Sequence, residues 1–341
     1  MVEIEKLRAH AKELLEKGKV GCVLGYRKGT AGMGAAEPAF ITRAEDVDSL
    51  VWDPTCVHNL AGQVKKARKD KASAGKPIGI VAKGCDSRAL VVLIQEKVIK
   101  REDVYIIGVS CEGTGVVDQR KLTRHVQGTR PKQVQFDGAS GFTVTTRLGE
   151  VEVPAKAVLA DRCLECRVPA PAVHDVLFGE KGTARDYDGA FTMAKAMDAK
   201  PEAERWAFWE KQFSRCLRCY ACRSVCPMCY CEECVVDSTA FVVAAGTTAE
   251  DKANRIKWIE RSNSTSENSM YHLTRAMHLA GRCIDCGECE RSCPVNIPLR
   301  LLNTKLEKEA KELFDYEPGV DADASSLVSS FRDTDPNGFI R

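Results

Sequence analysis

At 341 residues with 44% hydrophobic side chains, the chain is long enough to bury a sizeable core and to divide into two or three domains. Its 50 basic and 48 acidic residues leave a net charge of +2, so no strong field recruits nucleic acid or an anionic membrane surface. Seventeen cysteines, an odd number, exclude complete disulfide pairing.

No basic leader opens the sequence, and no apolar run approaches the roughly 18 residues of a spanning helix. We therefore expect a cytoplasmic protein with no membrane span. Thiols stay reduced there, and clustered cysteines serve metal or redox chemistry. So many thiols of this kind suggest anaerobic metabolism.

Residues 3–17 place Ile4, Leu7, Ala11, Leu14 and Leu15 at helical spacing, and Gly18 ends the run as a helix cap would. The apolar stretch from Val20 to Tyr26 predicts a buried strand. It leads into a glycine-rich loop in which Arg27, Lys28, Gly29, Gly32 and Gly34 can admit a flavin or nucleotide phosphate close to the backbone. The spacing is not the dinucleotide fingerprint, and a plain surface loop is the competing reading.

Pro77–Ala82 predicts a strand, Ser87–Ile99 a helix and Val104–Val109 a second strand. This is a β-α-β unit with a right-handed parallel crossover. Short β pieces follow at Phe142–Thr146 and Val151–Val153, then the pair Cys163-x-x-Cys166, with Pro169 and Pro171 stopping regular structure. From Pro201 the pattern turns helical, with predicted helices over 201–213, 248–261 and 266–281. We divide the chain into an α/β domain with a mostly parallel sheet (1–182), a linker (183–204), a mainly helical cysteine domain (205–316) and an irregular acidic tail (317–341), a candidate for lying along a partner.

The strongest signal is a repeated run, Cys216-x-x-Cys219-x-x-Cys222-x-x-x-Cys226-Pro227 and Cys283-x-x-Cys286-x-x-Cys289-x-x-x-Cys293-Pro294. A [4Fe–4S] cube needs four thiolates converging from different sides, and in two-cluster ferredoxins the last cysteine of each run ligates the other cluster. The assignment is therefore crossed: Cys216, Cys219, Cys222 and Cys293 for one cube, Cys283, Cys286, Cys289 and Cys226 for the second. Zinc also accepts four thiolates, but zinc ribbons use pairs of cysteines. The long segment between the runs argues for a helical two-cluster module of the succinate dehydrogenase type.

Cys85 sits at a strand-to-helix turn and Cys111 follows the next strand, so a parallel sheet puts both at one edge. With Cys163 and Cys166 they make the ligands of a third cube, or else Cys85 and Cys111 are small core residues. Cys229, Cys231 and Cys234 crowd behind the first run. With Cys56 or Cys22 as a fourth ligand they make a further cluster or a zinc site; otherwise they are thiols packed around the first cubes. Trp206, Phe208, Trp209 and Phe213 are read as packing that excludes water. The six histidines are read as surface or core residues.

The segments Lys83-Gly84-Cys85-Asp86-Ser87-Arg88-Ala89-Leu90, Ile107-Gly108-Val109-Ser110-Cys111, Cys163-x-x-Cys166 and Asp175-Val176-Leu177-Phe178-Gly179, in that order, resemble the β-subunit family of deazaflavin-reducing hydrogenases and formate dehydrogenases. Residues 205–316, with Arg218-Cys219-Tyr220-Ala221-Cys222 and His278-Leu279-Ala280-Gly281-Arg282-Cys283, resemble the two-cluster domain fused to family members that work with heterodisulfide-reductase-type bifurcating complexes. The resemblance implies FAD plus a [4Fe–4S] cluster in the α/β domain. It also implies an electron-relay role between a catalytic redox subunit (formate dehydrogenase, hydrogenase or NAD(P)H flavoprotein) and a heterodisulfide-reductase-like acceptor. The alternative is a flavin-dependent oxidoreductase subunit that itself turns over a nicotinamide or deazaflavin coenzyme.

Overall fold

The computed structural model describes residues 3–29, 36–64, 73, 75–111, 115–129, 131–136, 141–181, 190–232, 234, 236, 246, 248–253, 259, 262–331 and 333. Gly32 and Gly34 of the predicted phosphate loop, and the predicted helix beyond residue 253 apart from 259, lie outside them. The chain divides into two compact units. Unit 1 comprises 1–190 with Ile284–Cys286 and Glu317–Thr334; unit 2 comprises Phe191–Cys283, Gly287–Tyr316 and 335–341. Among the described residues no helix is long and apolar enough to cross a membrane.

Unit 1 opens with α1 (Ile4–Glu16), which buries Leu7, Ala11 and Leu14. Gly18, at φ +62°, ends it: the Lys19 N–H reaches the Leu14 carbonyl and the Gly18 N–H that of Leu15, satisfying carbonyls a helix end leaves open. Five strands follow in the order β2-β1-β3-β4-β8: β1 Cys22–Lys28, β2 Ala36–Ile41, β3 Ile78–Ala82, β4 Val104–Val109 and β8 Val176–Phe178. β2 runs antiparallel to β1, and the other neighbours are parallel.

All five residues of β3 are buried, as expected of a strand covered on both faces. One face packs on α1, with Leu7, Leu14, Val23, Val81 and Ile107 in one core. α2 (Gly84–Gln95) supplies the crossover to β4 and buries most of its own length. A separate meander of β5 (Gln133–Phe136), β6 (Gly141–Thr146) and β7 (Gly149–Pro154) has its own core of Leu122, Phe142, Val144 and Val153. The described start of the tail lies along α2 of its own unit: Arg88 Nε donates to the Pro318 carbonyl at 2.9 Å, and Gln95 reaches those of Asp321 and Ala324.

Between and after these strands stand α3 (Gln119–His125), α4 (Ala155–Val158) and α5 (Asp161–Leu164). Unit 2 contains α6 (Thr192–Asp198), α7 (Glu202–Phe213), α8 (Ala221–Ser224), α9 (Ala249–Ala253), α10 (Thr265–Leu279), α11 (Glu288–Ser292) and α12 (Leu299–Phe314). Ser264 caps α10 by accepting the Glu267 N–H, and α10 packs against α7 and α12. The core of this unit is built largely of cysteine and aromatic side chains: Cys216, Cys222, Tyr271, Cys289 and Cys293, with Ile297 and Leu299. The architecture is therefore the expected one, an α/β part with a mostly parallel sheet followed by a mainly helical, cysteine-rich part.

Candidate metal centres

β3 and β4 are parallel neighbours, so the chain leaves both at one edge, the carboxyl edge where α/β sheets bind ligands. Cys85 enters α2 there, and Cys111 follows β4, its N–H donating to the Pro169 carbonyl at 2.8 Å. Cys163 lies on α5 with Cys166 just beyond. All four thiols line one cavity of about 320 Å³. Four thiols around a space far wider than one ion needs suit a multi-atom group with four metal corners.

Two glycines make the approach. A Cβ on Gly84 would stand 1.9 Å from the Val168 carbonyl oxygen, and one on Gly115, at φ +65°, would stand 2.6 Å from Cys163 Cβ. The Val116 N–H donates to Cys163 Sγ at 3.3 Å. Burial pushes the Cys85 thiol up to about 12 and raises those of Cys111 and Cys166 as well. Thiols of that kind give up their protons to a metal, not to water.

Beside this cavity lies a buried charge cluster that the sequence reading did not single out. Lys83 and Asp86 are fully buried and their side chains pair at 3.0 Å. Asp86 also accepts the N–H groups of Leu60 (2.7 Å) and Lys83 (2.9 Å). Lys83 Nζ donates to the His58 carbonyl at 2.9 Å and to the Tyr26 hydroxyl, and lies over the Tyr26 ring. Arg162, also buried, donates to the Val57 carbonyl at 2.6 Å and to that of Cys286. The available signal was the Lys-Gly-Cys-Asp string at a strand end.

In unit 2 the loop from Cys216 to Cys222 and the residue Cys293 line a second, smaller cavity, walled by Tyr271, His272 and Ile297. The crossed fourth cysteine thus stands with the first three of the other run. Cys216, Cys222 and Cys293 are buried and Cys219 is exposed. Cys226, Cys283 and Cys289 lie in unit 2, and Cys286 in the short stretch Ile284–Cys286 of unit 1.

The two runs share a backbone signature. Two residues past the first cysteine, Arg218 and Asp285 take φ of 52° and 54°; two further on, Tyr220 and Gly287 take 59° and 66°. Three of these are not glycine, so the left-handed conformation is held against its usual cost. In each run a short helix, α8 or α11, follows at once, and these two helices pack together.

Donors surround the sulfurs of this unit. The Arg218 and Ile297 N–H groups donate to Cys216 Sγ (3.4 Å) and Cys293 Sγ (3.3 Å), and Asn303 Nδ2 to Cys289 Sγ (3.6 Å). His272 Nε2 lies 3.3 Å from Cys216 Sγ, and the Tyr271 hydroxyl 3.5 Å from Cys222 Sγ. Burial beside Arg275 and Arg218 holds His272 down to about 3, so its ring is neutral. Its ring stacks on buried Phe213, which stacks in turn on Trp209. Trp206 departs from the expected packing role, being 61% exposed.

Cys229 is half-buried, and a hydrogen bond with Cys226 holds its thiol down to about 5; Cys231 is exposed and Cys234 half-buried. Cys56 is buried in unit 1, with its sulfur at the Asp53 N–H. Among the described residues no three Cys, His, Asp or Glu side chains converge as a single metal ion requires. Arg27 and Lys28 are residues of β1, not of a loop, and Arg27 pairs with Glu37 of β2 at 2.9 Å; Gly29 follows the strand.

No family model matches the chain. It is similar over 91% of its length to the F420-dependent formate dehydrogenase subunit beta of Methanocaldococcus jannaschii, at 24% identity and across 90% of that protein. It is likewise similar over 92% of its length to the F420-dependent formate dehydrogenase 1 subunit beta of Methanococcus maripaludis, at 26% identity and across 90% of that protein. Among solved structures, a chain of the F420-reducing [NiFe] hydrogenase complex from Methanosarcina barkeri aligns with 44% of this chain and 53% of its own, at 19% identity and a TM-score of 0.33.

Proposed function

We propose that this chain is an iron–sulfur electron-transfer subunit of an oxidoreductase complex. In this reading it carries electrons between a catalytic partner, of the formate dehydrogenase, hydrogenase or NAD(P)H flavoprotein kind, and a heterodisulfide-reductase-like acceptor. The observation that carries the reading is the pair of Cys-x-x-Cys-x-x-Cys loops with left-handed backbone at corresponding positions. The similarity to β subunits over nearly the whole chain supports a place in a complex with a catalytic redox subunit.

Bound to these thiolates, [4Fe–4S] groups supply reversible one-electron chemistry. The chain's residues hold and surround them. Cys216, Cys219, Cys222 and Cys293 are the ligands of one, Cys226, Cys283, Cys286 and Cys289 of a second, and Cys85, Cys111, Cys163 and Cys166 of a third. Phe213, Tyr271 and Ile297 keep water from the first set, and the N–H, imidazole and hydroxyl groups at its sulfurs set how readily charge accumulates there. Cys229, Cys231 and Cys234 act from behind the first loop, and Cys56 packs the core of unit 1.

A second reading has its own support. Both relatives are named for dependence on F420. The wall of the unit 1 cavity carries Lys83, Arg88, Arg162 and Arg167 against Glu165, Glu180 and Asp285, four cations to three carboxylates, which an anionic cofactor such as FAD would balance. On that reading this chain itself oxidises or reduces a deazaflavin or nicotinamide coenzyme.

The test is to purify the chain without oxygen, record its visible spectrum during dithionite reduction, and assay it alone with deazaflavin and nicotinamide. Bleaching without turnover supports the relay. Bleaching with turnover and bound FAD moves catalysis onto this chain, and a colourless, zinc-loaded protein rules out both.

A further inference from the structure

α10 turns one face inward, carrying Asn268, Tyr271, His272, Arg275, Ala276 and Leu279. Arg275 is 5% exposed. Its Nη2 donates to the Cys222 carbonyl at 3.2 Å and toward Cys229 Sγ at 3.9 Å. Its guanidinium carbon lies 5.9 Å from the Tyr271 ring centre, and among the described residues its Nε has no hydrogen-bond partner.

Among the described residues no carboxylate forms an ion pair with it. Burial disfavours its charge, and Cys222, Cys229, Cys226 and Tyr271, when ionised, favour it; Cys289 feels it in turn. A cation taken out of water needs an anion at hand, because its desolvation is otherwise uncompensated. Cys229, whose thiol is held low, supplies part of that charge; thiolates bound to a metal–sulfide core would supply the rest. Cys222 belongs to the first ligand set, and Cys226 and Cys289 to the second.

We propose that Arg275 is the shared counter-cation of the two ferredoxin-type clusters, a positioning residue that raises the reduction potentials of both. The inference rests on the cluster reading above. An added electron increases the negative charge of a cluster, and a fixed cation in a poorly solvated wall favours that state over the oxidised one. One cation near two ligand sets acts on both.

The experiment is an EPR-monitored redox titration of the full chain, purified anaerobically, as wild type, Arg275→Gln and Arg275→Lys, with iron counted in each. The Gln variant lowers both ferredoxin-type potentials, each by a tenfold or greater change in the one-electron reduction constant, which is about 59 mV. The Lys variant keeps the charge and stays nearer to wild type for both. The cluster of Cys85, Cys111, Cys163 and Cys166 does not shift.

A shift confined to one ferredoxin-type cluster, or absent from both, overturns the proposal. Should the Gln variant lose iron, the Lys variant decides: retained iron with both potentials near wild type supports the charge role, and equal loss of iron shows a packing role and overturns it. Iron-free wild type would remove the cluster reading itself, and the proposal with it, whereas unshifted potentials in an iron-loaded variant remove only the role of Arg275.

Discussion

Asp86 shows how much one buried carboxylate can organise. It accepts two backbone N–H groups, from Leu60 and Lys83, and pairs with the Lys83 ammonium, so it ties the start of α2 to the chain ahead of it. Removing one member of such a pair leaves the other charge buried and alone. Asp86→Ala should therefore cost about 3–5 kcal/mol, read as a shift in denaturant midpoint at unchanged slope. An effect under about 1 kcal/mol would mean that the pair is solvated in solution. Gly84 is a second such residue: its missing side chain is what lets the Val168 carbonyl approach the helix start. Gly84→Ala should destabilise by about 2 kcal/mol or more through overpacking, and it should loosen the cavity of Cys85 before the meander is affected. Retention of wild-type stability and iron content would contradict the close approach.

Among the elements, several with a strong period are legible in the sequence, although α12, the longest helix described, was not predicted. α1 and its glycine stop, β1, the β3-α2-β4 crossover, α7 and α10 all lie near where apolar spacing puts them, α1 and α10 because each has one face to bury and β3 because it is apolar throughout; α2 starts and ends a turn earlier than expected. β8 was missed, being three residues long, and β2 was missed because alternation is weak in a strand with a proline at Pro38. β1 runs two residues past its predicted end, so Arg27 and Lys28 carry strand pairing. The same contrast governs stability. The core of unit 1 is aliphatic, whereas that of unit 2 contains four cysteines. Removing metal with a chelator under reducing conditions should therefore dissolve helical structure in unit 2 while unit 1 stays folded. Circular dichroism followed by limited proteolysis would check this, and a chelated protein with undiminished helix content would show that unit 2 holds itself together without metal.

At the scale of the molecule, cysteine spacing suggests the proposed donor sets, and the fold adds what spacing cannot carry. Sequence position says nothing of Arg275, His272 or Asn303 reaching toward cysteines or their sulfurs, since each is an ordinary residue on an amphipathic helix until the helix is packed. Nor does it reveal Lys83 as buried. That Cys293 lines the same cavity as Cys216, Cys219 and Cys222 follows the pattern of two equal runs, and that Cys85 and Cys111 share one cavity follows from parallel strands ending at one edge. Whether three four-cysteine sets hold [4Fe–4S] groups is decided by iron and acid-labile sulfide per chain in anaerobically purified wild type and Cys85→Ser. That assignment requires about 12 irons with matching sulfide in wild type and about eight in the variant. Equal iron in the two proteins, or zinc in place of iron, would contradict it.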